Sequence, residues 1–384
     1  MTRLHQMLAH EAAGGIALML ATFAALIVAN SPLQGAYVAA LDAPFSITLA
    51  GTGLTKPLIL WINDGLMAVF FFLIGLELKR EVLTGKLRRL SDIALPGVAA
   101  LGGMVAPALV YLAFNAGGNA GGEVRGWAIP TATDIAFALG ILALVGKGLP
   151  FGLKTFLLTL AILDDLGAIL IIAVFYTDHL QLSYLALALI PLLGLALLHR
   201  ARTSRIAPAL LLGAVLWVLV LKSGIHATLA GVATAFFIPL NDRDGGSPLI
   251  TLEHGLQPYV AFLIVPLFAF ANAGLSFAAL SWAALGSPVT LGVALGLLVG
   301  KVAGVMGACW LMVRSGLAAL PQAAGWAHMV GVALLAGIGF TMSLFIGGLS
   351  FGEGPAMNAV RLGVLLGSAI AALAGFAVLR AVRA

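Results

Sequence analysis

The sequence predicts an all-α polytopic membrane protein with twelve transmembrane helices and a small extracytoplasmic β-hairpin. Charged residues make up 9% of the 384-residue chain and hydrophobic residues 61%, whereas soluble domains carry about 25% charged residues. The apolar segments recur along the whole chain instead of forming one anchor. This composition excludes a soluble fold, because too few polar groups are present to cover a surface in water.

Twelve apolar segments are candidates for membrane spans, since about 20 apolar residues cross a bilayer as a helix. Arg3 and the apolar run that follows it resemble a signal peptide, but we interpret this run as a retained first helix because a complete topology needs it. Several of the segments are short. The predicted spans are 12–29, 58–77, 93–114, 127–145, 154–176, 182–198, 206–221, 224–240, 255–275, 289–312, 327–350 and 358–379.

The basic residues indicate the orientation of these spans. They lie mostly in the short gaps between apolar segments, and a cytoplasmic N-terminus places the large majority of them on the cytoplasmic side. The positive-inside rule therefore predicts that both termini are cytoplasmic. The same distribution argues against nucleic acid as a partner, although the net charge is +5.

Residues 45–56 interrupt the apolar pattern on the opposite side of the membrane. Polar and apolar residues alternate there around Gly51 and Gly53. Such alternation is typical of a β-hairpin; the alternative is an irregular loop.

Charge within a membrane span is costly and usually functional. Of the ionisable residues in the predicted spans, four are candidates for a functional site: Asp134, Asp164, Asp165 and Lys301. Asp164 and Asp165 are adjacent, and two neighbouring carboxylates cannot both stay ionised in a dry interior. They suit a site that alternates between bound protons and a bound hard cation such as Na⁺ or Li⁺. The alternative is an acid buried against a base for packing alone.

Two spans carry sequences that interrupt a helix. Asp134 follows Pro130, Thr131 and Thr133, and a second span contains the segment 337–341, Gly-Ile-Gly-Phe-Thr. Paired interrupted spans predict a transporter site built from inverted repeats. The alternative for either one alone is a simple kink without function.

Half-helix ends carry partial charges at mid-membrane, which Asp134 and Lys301 are placed to neutralise. Lys301 pairs with either Asp164 or Asp134 in this interpretation. A lysine that extends toward the interface is the alternative.

A charged cluster is predicted at a cytoplasmic helix end. Glu77, Arg80 and Glu81 share one helix face by their spacing, and Glu253 and His254 lie near another cytoplasmic end. A solvated helix end explains these residues more simply than a pH-responsive cluster does.

Taken together, these residues resemble the NhaA family of sodium/proton antiporters, and the resemblance covers essentially the whole chain. The matching stretches occur in the family's order between residues 61 and 346. They are WINDGLMAVFFFLIGLELKRE, PTATDIAFALG, LAILDDLGAIL, KSGIHATLAGV, LIVPLFAFANAG, GLLVGKVAGV and GIGFTMSLFI.

The resemblance implies a single transport unit over residues 1–384. Residues 93–176 and 289–379 would form the inverted-repeat core with two unwound crossing helices, and 12–77 and 182–275 the interface helices, with a homodimer contact at the hairpin 45–56. It also implies electrogenic export of Na⁺ or Li⁺ for external protons across the bacterial inner membrane, without a cofactor.

The resemblance assigns roles to individual residues. Asp164 and Asp165 match the cation and proton site, and Asp134, Thr133 and Lys301 match the charge balance beside the crossed helices. The pH response is assigned to Glu77, Arg80, Glu81, Glu253 and His254. Gln257 stands where some members carry a further histidine, so the pH range of activity does not carry over.

Two other functions compete with antiport. A sodium-coupled symporter on the same fold would need a cavity for an organic substrate, but the sequence has no polar cluster beyond the cation site. A membrane-embedded aspartyl protease would carry its two aspartates on different helices, one of them in a Gly-x-Gly-Asp setting, and a prenyltransferase would carry paired Asp-x-x-x-Asp motifs. Neither pattern is present.

Overall fold

A computed structural model describes residues 3–49, 52–88, 90–117, 123–146, 148–177, 180–279 and 282–383. The chain forms two compact units. Unit 1 comprises Met1–Asn30, Arg89–Ala168 and Ala273–Ala384, and unit 2 comprises Ser31–Arg88 and Ile169–Asn272.

The described residues are predominantly helical. Three of the helices contain a π turn, at Trp61–Leu66, Val260–Ile264 and Gly296–Gly300, and a 3₁₀ segment, Val124–Thr131, precedes α5. In chain order the elements are α1 (Arg3–Ala29), α2 (Gln34–Asp42), β1 (Pro44–Leu49), β2 (Thr52–Pro57), α3 (Leu58–Leu83), α4 (Leu90–Asn115), α5 (Ile135–Val145), α6 (Phe151–Phe175), α7 (Leu182–Arg200), α8 (Ile206–Ser223), α9 (Thr228–Phe237), α10 (Pro248–Asn272), α11 (Trp282–Leu285), α12 (Pro288–Arg314), α13 (Trp326–Ala336), α14 (Phe340–Phe351) and α15 (Pro355–Ala381).

Every predicted span contains at least one helix in the structure, although some of the helices are broken or shorter than the span. Among the described residues, nine helical segments are long and apolar enough to cross a membrane, and as many as eleven if each of two bent pairs is one span. These pairs are α1 with α2, bent by 112°, and α13 with α14, bent by 42°. The span predicted at 224–240 contains only the 10-residue helix α9. The all-α polytopic membrane fold is confirmed.

The predicted hairpin is present, and the alternative prediction of an irregular loop is wrong. Strands β1 and β2 pair antiparallel, from Pro44 opposite Pro57 to Leu49 opposite Thr52. The turn at residues 50 and 51 lies outside the described part of the chain. The Trp61 indole N–H donates to the Phe45 carbonyl at 2.9 Å, which ties the hairpin to the start of α3.

Glycines allow close packing inside unit 1. A Cβ atom on Gly304 of α12 would clash with the Gly102 carbonyl of α4, and a Cβ on Gly102 would clash with the Gly304 carbonyl. Gly300 of α12 similarly lies against Pro107 of α4. Small residues are needed at such contacts because they let the backbones of two membrane helices approach closely enough to pack.

In unit 2, α3 packs on α9 in the same way. A Cβ atom on Gly231 would clash with the Ala68 carbonyl. At the other end of α9, the buried Lys79 amine donates to the carbonyls of Phe236, at 2.7 Å, and Ile238, at 2.5 Å. A cation at this position satisfies helix C-terminal carbonyls and complements the helix dipole.

We expect Gly304→Leu to separate α4 from α12 and to destabilise the protein by about 1–3 kcal/mol or more, the usual cost of overpacking. Gly307→Leu is the matched control, because a Cβ at Gly307 meets no atom within 4 Å. Thermal unfolding of both variants in detergent checks the prediction. Equal melting temperatures for the two variants would show that the close contact is not required.

Candidate functional site

Two broken helices meet directly in unit 1. Residues 132–134 are extended between the 3₁₀ segment Val124–Thr131 and α5, and residues 337–339 separate α13 from α14. The Asp134 backbone N–H donates to the Ile338 carbonyl at 2.6 Å. The interruptions predicted from Pro130 and from the glycines of 337–341 are therefore both present and are hydrogen-bonded to each other.

The Asp134 carboxylate satisfies the start of both half-helices. Its Oδ1 accepts the Phe137 N–H at 2.9 Å, as the N-cap of α5. Its Oδ2 accepts the Thr341 N–H at 3.0 Å and the Thr341 hydroxyl at 2.6 Å, at the start of α14. Asp134 is only 2% exposed. A carboxylate here complements two positive helix ends at once.

Two serines satisfy further backbone groups at the breaks. The Ser368 hydroxyl oxygen accepts the Phe340 N–H at 3.2 Å, and the Ser343 hydroxyl donates to the Ile129 carbonyl at 2.7 Å. Both are buried. Neither serine stands out in the sequence, because a single hydroxyl in an otherwise apolar helix is its only signal.

Lys301 lies fully buried directly after the π turn of α12. Its amine donates to Asp164 Oδ2 at 2.6 Å and to the Thr131 carbonyl at 2.5 Å. Of the two carboxylates left open by the sequence, the lysine thus bonds to Asp164. It also satisfies the carbonyl that ends the 3₁₀ segment, so one amine serves both the carboxylate and the helix break.

Asp164 has one oxygen engaged and one free. Oδ2 accepts from Lys301, and it lies 2.6 Å from the Thr133 hydroxyl, whose single proton serves either this oxygen or the Ala336 carbonyl at 2.8 Å. Oδ1 is buried and has no hydrogen-bond partner among the described residues. Asp165 lies next to Asp164 on the same helix, and each of the two aspartates is 1% exposed. A buried carboxylate oxygen without a donor is suited to a proton or a cation.

The ligands available here are hard oxygens. Among the residues that the structure describes, no group of three or more His, Cys, Asp and Glu side chains is placed to hold a metal ion. A cation at Asp164 and Asp165 would therefore complete its shell with neutral oxygens, of which the Thr133 hydroxyl is adjacent to Asp164. Such a donor set favours a hard monovalent cation over a transition metal.

The charged cluster predicted at the helix end lies in unit 2, and it forms around Arg80 without His254. Arg80 Nε donates to both carboxylate oxygens of Glu253, at 3.0 and 2.9 Å, and Arg80 Nη1 donates to Glu81 at 2.7 Å. Glu77 is half-buried on the same helix. His254 is exposed, and its ring makes no hydrogen bond or ion pair with a described residue.

Comparison with known proteins is consistent with this geometry. The family model for Na⁺/H⁺ antiporter 1 matches residues 5–379. The Na⁺/H⁺ antiporter NhaA of Bordetella parapertussis is 56% identical over 98% of this chain and 96% of its own length. The Na⁺/H⁺ antiporter NhaA 2 of Erythrobacter litoralis is 54% identical over 98% and 94%, and NhaA of Pseudomonas fluorescens is 54% identical over 96% and 93%. These relatives are transporters and not enzymes. The resemblance inferred from the sequence motifs is confirmed: the chain belongs to the Na⁺/H⁺ antiporter 1 family.

Proposed function

We propose that this protein exports Na⁺ or Li⁺ in exchange for external H⁺, with Asp164 and Asp165 as the shared site for cation and proton. The observation that carries this proposal is the state of Asp164: one oxygen is bonded to Lys301, and the other is buried without a donor among the described residues. The names of the relatives, all Na⁺/H⁺ antiporters, support it.

The exchange follows from competition for the same oxygens. A cation needs both carboxylates deprotonated, because their charges supply its binding energy. In the absence of a cation, two adjacent carboxylates in an apolar span favour protonation, since water does not solvate them and the single charge of Lys301 cannot neutralise both. We propose that both carboxylates carry a proton before the cation binds, Asp164 on its unbonded Oδ1 while Oδ2 keeps the bond from Lys301, so that each cation bound releases two protons. We infer electrogenic exchange with protons in excess, driven by the membrane potential and the proton gradient.

We infer that Lys301 serves mainly as electrostatic balance. Its amine bonds to the carbonyl at the end of a broken helix as well as to Asp164, so its charge remains useful when a cation occupies the carboxylate. The aspartate pair alone supplies both protons, and a proton-carrying lysine is therefore unnecessary.

The finer assignments rest on the family resemblance. We propose that the protein lies in the bacterial inner membrane with both termini cytoplasmic, contributes to sodium and cytoplasmic pH homeostasis, and dimerises through the hairpin formed by β1 and β2. We propose that pH regulates it through Glu77, Arg80, Glu81, Glu253 and His254. Within that cluster, the ion pairs of Arg80 with Glu253 and Glu81 are the part to test first.

Asp164→Asn and Asp165→Asn should each abolish exchange while leaving the protein folded, because an amide keeps the shape but cannot alternate between proton and cation. Asp244→Asn, in the exposed loop before α10, is the control and should be fully active. The measurement is Na⁺-driven proton flux from purified protein in liposomes. Flux that persists in either site variant would remove that carboxylate from the site.

Apparent Na⁺ affinity should rise with pH, because protons and Na⁺ compete for the same carboxylates and fewer protons compete at higher pH. Isothermal titration calorimetry at several pH values measures the affinity directly, and potassium serves as the control cation. Affinity that stays constant from acid to alkaline pH would contradict a shared site.

Lys301→Arg should keep electrogenic transport with an altered pH profile, because arginine preserves the charge but cannot release its proton at usable pH. Lys301→Ala should destabilise the protein, since it removes the donor to Asp164 Oδ2 and to the Thr131 carbonyl; removing one partner of a buried pair costs about 3–5 kcal/mol in other proteins. Reversal potentials in liposomes give the stoichiometry. An electroneutral Lys301→Arg transporter would instead make Lys301 the carrier of the second proton.

A further inference from the structure

An apolar groove lies among α7, α8 and α9 of unit 2. Its volume is about 530 Å³, within the range of about 300–1,000 Å³ typical of ligand sites. We call it the α7–α8 groove. Representative lining residues are Leu182, Leu185, Leu189, Leu216, Val220 and Ala230.

The α7–α8 groove runs along little more than half of the length of α7. It is lined by the first half of α7, from Leu182 to Leu192, by the last turns of α8 and by the first half of α9. The end of α8 leads directly into the start of α9, so these segments lie together. At a rise of about 1.5 Å per residue, the stretch of α7 is roughly 15 Å long. The hydrocarbon core is about 30 Å thick, so the groove has the length of one leaflet.

The groove is open, and the described residues that line it are apolar. Leu182 and Leu189 at its edge are 71% and 57% exposed, whereas Ala188 and Leu216 beneath them are buried. Water in such a groove would lack the two to four polar partners that it needs. An acyl chain from the surrounding bilayer can pack against these apolar side chains, whereas a polar ligand would lose its hydrogen bonds to water there.

A cation lies at the polar end of the groove. Lys222 follows Val220 by two residues, and its amine lies 5.8 Å from the centroid of the Tyr184 ring. The Gln181 N–H donates to the Ser223 carbonyl at 2.8 Å, which holds the start of α7 and the end of α8 together at this rim. Lys222 makes no ion pair with any described residue.

We propose that the α7–α8 groove binds one anionic phospholipid from the leaflet at the Lys222 end. An acyl chain fills the groove, the phosphate group pairs with the Lys222 amine, and the Tyr184 ring lies at the level of the headgroup, where tyrosine is enriched. The charge of Lys222 selects anionic over zwitterionic lipid. This site shares no residue with the proposed exchange site, and it does not depend on the direction or stoichiometry of transport.

Native mass spectrometry of the delipidated full-length protein tests the proposal. The probes are phosphatidylglycerol and phosphatidylcholine with identical acyl chains. We expect the unmodified protein to retain one phosphatidylglycerol that Ala186→Phe, which fills the groove from an exposed position on α7, does not retain. Lys222→Gln should weaken phosphatidylglycerol binding about fivefold, as expected for one basic residue near an anionic headgroup. It should weaken phosphatidylcholine binding less, because choline already offsets the charge of that lipid's phosphate.

Two controls match these variants. Ala207→Phe places the same ring at an exposed alanine of α8 that does not line the groove, and Arg243→Gln removes a charge from the exposed loop before α10. Both should bind phosphatidylglycerol as the unmodified protein does. Equal lipid retention by Ala186→Phe and Ala207→Phe would overturn the proposal. So would a loss of dimer in Ala186→Phe with unchanged lipid binding, because the groove would then hold a second copy of this chain.

Discussion

The bilayer core supplies no water to unpaired backbone groups, and the organisation of unit 1 depends on this constraint. Two spans break in mid-course, which frees N–H groups at the starts of α5 and α14 and carbonyls before each break. Side chains satisfy these groups: Asp134 accepts at both starts, Ser368 accepts the Phe340 N–H, and Lys301 donates to the Thr131 carbonyl. The breaks persist because each freed group that these bonds reach has a partner inside the protein.

The same constraint connects the breaks to the candidate ion site. Lys301 divides its hydrogen bonds between a helix end and Asp164, and Thr133 lies between Asp164 and the carbonyl that ends α13. A change in charge at Asp164 therefore alters what Lys301 and Thr133 contribute at the breaks. Under the proposed function, proton or cation binding at Asp164 would therefore change the hydrogen bonds at the broken helices.

Much of the fold followed from local features of the sequence. Apolar runs located the spans, alternation located the hairpin, and Pro130 with the glycines of 337–341 located the breaks. The length of α9 was overestimated, because an apolar run continues into residues that are turn and not helix. The bonds of Ser343, Ser368 and Lys79 were not foreseen, since one hydroxyl or one basic residue at a helix end has no distinctive pattern.

The sequence by itself determined that the protein is a multi-span membrane protein with ionisable groups at mid-membrane, because hydropathy and charge placement are properties of consecutive residues. It also identified the family, since the motifs occur in order. Only the tertiary structure decided that Lys301 bonds to Asp164, that Asp134 caps two helices, and that His254 stands apart from the Arg80–Glu253 pair. Those hydrogen bonds join residues more than a hundred positions apart. The physical reason is that a hydrogen bond acts over about 3 Å in space, a distance that spacing along a chain does not fix.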